Sequence, residues 1–288
     1  MQYKERKKPY ELEVLEYLDI RMRLSSKDKQ YYYALKKGYE GEILFDSLTE
    51  KLQCECYILN DLLLNSNNST FQIDTLIITS ETIHLFEVKN LDGDYYYDEE
   101  SGKFYKISKI PQSEITNPLH QLDRKESLLR KLLFKHGCNL PISPSVVFIH
   151  SEFTLYQAQL NQPIIYPNQI KRYLNRLNKI PLKLNNRHKK LAEKLKSLHI
   201  CKKDRENLPH YQYDELQKGI TCLECNSFSV IAEGATCICH NCGYAEKVTE
   251  AVIRSVQEYK LLFPDQIITT NVIHDWCQVI HSKKRIKR

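Results

Sequence analysis

Short apolar runs bounded by turn residues recur between residues 56 and 89 and predict three β-strands. Two turn clusters separate them, Asn65-Ser66-Asn67-Asn68 and Ser80-Glu81. A β-hairpin is predicted further along, with its turn near Ser101-Gly102. The predicted strands are Cys56–Leu64, Phe71–Thr79 and Thr82–Lys89, and the hairpin pairs Tyr95–Tyr97 with Phe104–Ile107.

Apolar residues spaced three or four apart predict helices before and after these strands. One helix opens at Asn117-Pro118, where Asn suits the N-cap and Pro the first turn. Pro144–His150 follows as a further buried strand, and this order of elements predicts an α/β core. Further helices are predicted over Tyr10–Leu24, Lys36–Leu52, Thr249–Leu262 and Asn271–Ile280. A connector and basic helices are predicted over Tyr166–Leu177 and Asn186–Leu198.

Composition narrows the class of protein. The chain has 288 residues, a formal net charge of +6 and ten cysteines, which are too few for a disulfide scaffold. No apolar run approaches the about 20 residues of a membrane span, and no apolar stretch follows the basic N-terminus as it does in a secretory signal. We therefore expect a cytoplasmic protein with no membrane partner.

Two carboxylates and a lysine stand out among the predicted strands. Pairing about the Ser80-Glu81 turn places Asp74 opposite Glu87, and Lys89 shares the face of Glu87. Charges in a core strand are costly unless they are paired or bound to a metal ion. A divalent cation would relieve the repulsion between the carboxylates, and a lysine beside it suits phosphodiester hydrolysis. The alternative is a structural ion pair at the end of the sheet.

The residues around this trio resemble the NERD (nuclease-related) domain of the restriction-endonuclease-like PD-(D/E)xK superfamily. The resemblance covers roughly residues 36–150, and it implies a mixed sheet flanked by helices. Ile73 stands where the superfamily name has proline. The motifs are Gly38-Tyr39-Glu40-Gly41-Glu42, Ile73-Asp74, Glu87-Val88-Lys89-Asn90, Gly93 and Asn117-Pro118-Leu119-His120-Gln121.

The resemblance also implies a role for each matching residue. Asp74, Glu87 and the Val88 carbonyl would ligate Mg²⁺ or Mn²⁺, and Lys89 would position the attacking water. Glu42 could reach the metal or its water, and Gln121 could orient Lys89 or a phosphate. Alternatively, Glu42 is a glutamate favoured by the helix dipole, and Gln121 is a capping or solvated side chain.

Four cysteines form two Cys-x-x-Cys pairs separated by 13 residues, which predicts a zinc ribbon similar to those of topoisomerases. Cys237 could replace Cys239, His240 is a weaker alternative ligand, and a thioredoxin-like redox pair lacks its βαβ context. The ribbon either contacts nucleic acid or only folds its own segment. The predicted zinc ligands are Cys222, Cys225, Cys239 and Cys242.

Five cations end the sequence, after two helices that resemble part of a helix-turn-helix unit. They are expected either to contact phosphates or to form a solvated tail. The five are Lys283, Lys284, Arg285, Lys287 and Arg288.

Taken together, the sequence predicts a metal-dependent nuclease that acts on DNA, with RNA a less favoured substrate. One alternative is a catalytically inactive nuclease fold that binds DNA or a partner. Another is an RNA-processing core whose ribbon contacts protein. The predicted organisation is an N-terminal helical extension (1–35), a nuclease-like domain (36–200), a linker (201–218), the zinc ribbon (219–248) and a basic helical segment (249–288).

Overall fold

The computed structural model describes residues 1–107, 113–180, 183–201 and 205–279. The chain packs as two compact units, each made of two segments. The core unit comprises Met1–Lys8 and Ala34–Lys202, and the cysteine unit comprises Pro9–Tyr33 and Lys203–Arg288. Helices and mixed sheets both contribute, so the predicted α/β class is confirmed.

The N-terminal half begins with a short strand and two helices before the strand-rich region. Its elements are β1 (Gln2–Lys4), α1 (Tyr10–Arg21), α2 (Ser26–Thr49), β2 (Tyr57–Ser66), β3 (Ser69–Ile78), β4 (Ile83–Lys89), β5 (Gly93–Asp98), β6 (Lys103–Lys106), β7 (Ser113–Ile115) and α3 (Pro118–Lys135). The remaining elements are β8 (Ile142–Phe148), β9 (Phe153–Tyr156), β10 (Ile164–Ile165), α4 (Ile170–Leu177), α5 (Asn186–Ser197), β11 (Val230–Glu233), β12 (Thr236–Cys239), β13 (Ala245–Lys247), α6 (Val248–Leu262) and α7 (Thr270–Cys277).

A six-stranded sheet in the order β1-β2-β3-β4-β8-β10 organises the core unit. Strand β4 lies in its middle, antiparallel to β3 and parallel to β8. All residues from Ile83 to Val88 are buried, as expected for a strand covered on both faces. The register pairs Thr75 with Phe86, in agreement with the pairing predicted about Ser80-Glu81.

Two apolar cores cover the opposite faces of this sheet. Ile83 and Leu85 point into one core, together with residues of α3 and α5. Phe86 and Val88 point into the other, together with residues of α2 and α4. The alternation along β4 therefore directs Glu87 and Lys89 towards the α3 side.

A smaller sheet in the order β7-β6-β5-β9 flanks the first core. It contains the predicted hairpin, with Tyr97 paired to Phe104. Tyr95, Phe104 and Phe153 are buried in the core shared with α3. This sheet thus packs its aromatic face beside the helix that follows Asn117.

The cysteine unit contains a three-stranded antiparallel sheet, the helices α1, α6 and α7, and the start of α2 (residues 26–33). Trp276 is fully buried in its core, and the guanidinium of Arg21 lies 4.0 Å from the Trp276 ring. Arg21 Nη2 also donates to Glu258 Oε2 at 2.8 Å, so this buried cation has a charged partner.

Two helix boundaries differ from the predictions. Helix α2 begins at Ser26 rather than Lys36, because the Asp28 N–H donates to Ser25 Oγ at 3.2 Å and no proline interrupts the residues that follow. Helix α7 ends at Cys277 rather than Ile280, since Gln278 adopts a left-handed φ of 57°. The five predicted phosphate-contacting cations, Lys283, Lys284, Arg285, Lys287 and Arg288, lie outside the described residues.

Candidate metal and nuclease site

Asp74 and Glu87 come together beside β4. They immediately follow the last ladder pair, Thr75 with Phe86, on adjacent strands. Both are buried, with exposed fractions of 6% and 3%. Two buried carboxylates on neighbouring strands need positive charge nearby to remain ionised.

The backbone of Val88 contributes to this arrangement. Its N–H donates to Asp74 Oδ2 at 2.8 Å. At this point β3 and β4 are no longer paired through their backbones, and the Asp74 side chain takes the place of a backbone carbonyl as acceptor. Lys89 O accepts from Ile149 N–H on the β8 side at 3.0 Å. Backbone groups of successive strand residues point to alternate sides, so the Val88 carbonyl faces the Asp74 side.

Lys89 lies against Glu87, as their shared face predicted. Its Nζ is 2.8 Å from Glu87 Oε1, and the Lys89 side chain is 25% exposed. A partly exposed ammonium fixed by a buried carboxylate can meet a ligand from solvent. The structure therefore brings Asp74, Glu87, Val88 and Lys89 together, while their roles stay predictions.

Lys125 is a further member that was missed. From α3, its Nζ donates to Asp74 Oδ1 at 3.1 Å and also to Glu87 Oε2. Burial disfavours the charged form of Lys125, but the two carboxylates outweigh burial and raise its pKa. Lys125 thus stays positively charged and bridges both acidic groups.

A sequence signal for Lys125 did exist. It lies three residues after Leu122 and four before Leu129, which are both fully buried. A lysine in the apolar stripe of an amphipathic helix faces the core rather than solvent. Such a lysine needs a buried acidic partner, and Asp74 and Glu87 were already the candidates.

Arg6 is a second missed residue, and it holds Glu42. Arg6 Nη1 donates to Glu42 Oε2 at 2.7 Å, and Arg6 Nε donates to Asp46 Oδ2 at 2.8 Å. Its Nη2 donates to the Asp74 carbonyl at 2.7 Å. The Arg6 side chain is only 2% exposed, and its hydrogen bonds link the N-terminal segment to α2 and β3.

Glu42 therefore lies near the carboxylates but is engaged by arginine. Burial and the negative charge of Asp74 raise the pKa of Glu42 to about 8, although Arg6 opposes the shift. Its Oε2 is directed to Arg6, and whether Glu42 also reaches a metal ion or its water stays a prediction.

Gln121 is half-buried on the first turns of α3. Its Oε1 is buried and has no hydrogen-bond partner in the part of the chain that the structure describes. The same helix starts where predicted, because Asn117 Oδ1 accepts from Leu119 N–H at 2.8 Å. An orphaned carbonyl oxygen suits a ligand or water, but the predicted role of Gln121 stays a prediction.

The first motif explains how α2 approaches β4. A Cβ added at Gly41 would lie 2.4 Å from Asn90 Cβ, which is closer than two such atoms can come. Asn90 Nδ2 also donates to the Lys37 carbonyl at 2.7 Å. Gly41 and Asn90 therefore allow close packing of α2, which carries Glu42, against the end of β4, which carries Glu87 and Lys89.

The donors fit a hard divalent cation. Two carboxylates and a backbone carbonyl are oxygen ligands of the kind that Mg²⁺ and Mn²⁺ prefer. The Lys125 ammonium bridges the two carboxylates, so the site already accommodates a positive charge. Asp74, Glu87 and the Val88 carbonyl are the groups that could hold such an ion.

The four predicted zinc ligands converge in the cysteine unit. The sulfur atoms of Cys222 and Cys242, and those of Cys225 and Cys239, are 3.6 Å apart. All four sulfurs lie within 4.8 Å of one another. Zinc bound at about 2.3 Å by four thiolates requires sulfur separations of about 3.8 Å, so the cluster fits tetrahedral Zn²⁺.

Each pair of cysteines belongs to a similar tight turn. Asn226 N–H donates to the Cys222 carbonyl at 3.0 Å, and Gly243 N–H donates to the Cys239 carbonyl at 2.9 Å. Asn226 and Gly243 both have positive φ, of 56° and 78°. Glycine adopts this conformation without steric cost, and Asn is the other residue that tolerates it.

The alternative ligands lie outside the cluster of four. Cys237 is 1% exposed and belongs to the apolar core of the cysteine unit. The structure therefore favours Cys239 over Cys237, and neither Cys237 nor His240 belongs to the metal-ligating group found among the described residues. Asn241 Nδ2 lies 3.4 Å from Cys225 Sγ, and this hydrogen bond lowers the pKa of the Cys225 thiol.

Comparison with known families identifies the domain that contains the carboxylate site. Residues 37–149 match the model of the nuclease-related domain, NERD, which confirms the resemblance predicted from the motifs. No curated protein and no solved structure matches the chain. Across the described residues, no helix is both long enough and apolar enough to cross a membrane.

Proposed function

Because residues 37–149 form a nuclease-related domain, we propose that this protein is a metal-dependent nuclease that hydrolyses phosphodiester bonds of DNA. The convergence of buried Asp74 and Glu87 with Lys89 and Lys125 carries the proposal. Charged groups are rarely buried in such number without a task, and perturbed clusters of this kind are typical of functional sites.

Asp74, Glu87 and the Val88 carbonyl would hold Mg²⁺ or Mn²⁺. When bound, such an ion polarises the phosphate and lowers the pKa of its water. The buried carboxylates would hold the ion at the end of β4, where their low exposure would strengthen its electrostatic effect.

The two lysines differ in what they can do. Lys89 is more exposed and is held at 2.8 Å by Glu87, so it can orient the attacking water and face the developing negative charge. Lys125 has a side-chain exposure of 14% and bridges both carboxylates. We assign it to charge balance within the site rather than to substrate contact.

The Lys125 bridge also supports a second candidate function. An ammonium held by Asp74 and Glu87 can replace a metal ion permanently. The core unit would then be a catalytically inactive module that binds DNA or a partner. A metal ion would have to displace this ammonium or share the two carboxylates with it. The two candidate functions therefore differ in whether the site binds metal.

The four-cysteine site is proposed to bind Zn²⁺ and to assist nucleic-acid binding. Its cysteines offer a closed set of four thiolates, as in structural zinc sites. Lys247 is the one lysine or arginine between residues 221 and 248, so any phosphate contact by this segment would rest on few cations. Zinc would chiefly hold the segment in a defined shape.

Cleavage assays test the proposal directly. Supercoiled, linear and single-stranded DNA, with RNA in parallel, would be incubated with the full chain and Mg²⁺ or Mn²⁺. Asp74→Ala and Lys89→Ala should each lower the cleavage rate by about a hundredfold or more. Asp94→Ala removes an exposed carboxylate of β5 and should leave the rate unchanged.

The outcomes separate the candidates. Metal-dependent cleavage abolished by both site variants but not by Asp94→Ala would establish the nuclease. Salt-dependent DNA binding without cleavage by the folded wild type would favour the inactive module. Cleavage that survives Asp74→Ala and Lys89→Ala would contradict the proposed site.

A further inference from the structure

Positive charge is concentrated in one part of the core unit. The forty residues from 153 to 192 contain eight lysines and arginines and no aspartate or glutamate. The whole chain has a net charge of only +6. The charge of this segment, which runs from β9 to the start of α5, therefore exceeds that of the whole chain, and the remaining residues are net acidic.

Helix α4 separates this charge sharply from its apolar side. Ile170, Leu174 and Leu177 are buried in the core that also contains residues of α2. The opposite side, the α4 face, continues into the turns before and after the helix and is exposed. It consists of Asn168, Lys171, Arg172, Asn175, Arg176 and Lys179.

The fold of α4 does not rest on ion pairs of these cations. Asn178 Oδ1 accepts from the Gln53 N–H at 2.8 Å, and the buried apolar side anchors the rest of the helix. Arg172 and Arg176 are one turn apart, where like charges repel and destabilise a helix. Arg176 lies over the Tyr173 ring at 5.6 Å, which orients its guanidinium without neutralising it.

No cation of the α4 face has an ion-pair partner among the residues that the structure describes. The segment from 153 to 192 offers no carboxylate of its own. Three lysines elsewhere in the core unit, Lys89, Lys103 and Lys125, do face carboxylates. The unpaired charge of the α4 face is therefore available to an anionic ligand.

We infer that the α4 face binds the sugar-phosphate backbone of the nucleic acid on which the core unit acts, an inference that rests on the proposed function. Residues one turn apart on a helix are separated by about 5.4 Å, so the face presents an extended row of cations. Arginine forks bind phosphate oxygens in pairs, and asparagine amides also donate to phosphates. The row thus contacts several backbone phosphates and reads no base sequence.

Salt dependence of binding tests this inference. Binding of a DNA duplex by the full chain would be measured in EDTA, without cleavage, over a range of salt concentrations. The variant Arg172→Gln/Arg176→Gln should bind more weakly. Its slope of log K against log salt should become shallower by about 2, since each phosphate contact contributes about 0.9.

Helix α3 offers a matched control. Lys131 and Lys135 are also exposed and one turn apart. Lys131→Gln/Lys135→Gln removes the same charge and should leave the slope unchanged. Both variants should keep the wild-type thermal midpoint, because neither pair has an ion-pair partner in the described parts of the chain.

Several outcomes would overturn the inference. These are an unchanged slope for the α4 variant, an equal change for both variants, or absence of salt-dependent DNA binding by the wild type. Displacement of DNA by polyglutamate or phosphatidylserine vesicles as readily as by more DNA would point instead to an acidic protein or a membrane. If the wild type cleaves DNA but the salt slope of Arg172→Gln/Arg176→Gln is unchanged, only this inference is contradicted. If the α4 variant binds DNA with a shallower salt slope but the wild type does not cleave, only the proposed nuclease activity is contradicted.

Discussion

The carboxylate site of the core unit and the cysteine site of the second unit are assembled in opposite ways. Lys125 meets Asp74 across 51 residues of sequence, and Arg6 meets Glu42 across 36. The cysteine contacts span only 20 and 14 residues. One site depends on how distant elements pack, and the other depends on two local turns.

The two sites also differ in how they balance charge. Lys89 and Lys125 neutralise Asp74 and Glu87, so the carboxylate site can keep its shape without a metal ion. In the cysteine site, no lysine or arginine is hydrogen-bonded to any of the four sulfurs among the described residues. Four thiolates would repel one another there, so a metal ion is the expected source of positive charge. Removing metal should thus affect the two sites very differently.

Loss of one zinc ligand should have the largest effect. Cys239→Ser should abolish stoichiometric zinc binding and disorder the segment of β11, β12 and β13, because structural zinc contributes about 10–16 kcal/mol to folding of such modules. Zinc content and amide hydrogen exchange would measure both effects. Cys237→Ser is the matched control on the same strand and should keep one zinc ion per chain.

Two results would contradict this view of the cysteine site. Retention of zinc by Cys239→Ser would mean that another group, such as Cys237, completes the site. Zinc-free protein with unchanged exchange protection in β11–β13 would mean that the metal is not needed for the fold.

Removal of Lys125 should have the next largest effect, and metal should reverse it. Lys125→Met leaves Asp74 and Glu87 without their bridging cation, which should cost about 3–5 kcal/mol of unfolding free energy in EDTA. Mn²⁺ should restore much of that loss, because the ion replaces the missing charge and stabilises the state that binds it. Urea denaturation with and without Mn²⁺ measures both values.

Lys131→Met provides the control for Lys125→Met, since Lys131 is exposed on the same helix and should change stability little in either condition. An equal loss for Lys125→Met with and without Mn²⁺ would contradict a metal site at these carboxylates. It would favour the permanent ammonium bridge.

The comparison also explains what could be predicted from sequence. Both cysteine pairs were predictable because their ligands are close in sequence and no distant packing is required. Asp74, Glu87 and Lys89 were predictable as neighbours because a short turn determines the register of β3 and β4. Those predictions concern local geometry.

Arg6 and Lys125 escaped prediction because their partners are distant. Nothing in Met1–Pro9 indicates that Gln2–Lys4 forms a strand beside β2 and carries Arg6 towards Asp46. The short strand β9 was missed as well, since its four residues pair with β5 from far along the chain. Short edge strands have weak local patterns, and tertiary contacts determine them.

A substitution at Gly41 tests the long-range packing itself and should have the smallest effect of the series. Gly41→Ala places a methyl group against Asn90, so α2 must move away from β4 at a cost of about 1–3 kcal/mol. Gly38→Ala, one turn earlier, meets nothing within 4 Å and should stabilise the same helix by up to about 1 kcal/mol. Urea denaturation measures these two changes, which have opposite signs.

Gly41→Ala should also lower the cleavage rate by displacing Glu42 from Asp74, while zinc content stays at one ion per chain. Equal stability changes for the two variants would mean that the contact of α2 with Asn90 does not constrain the carboxylate site.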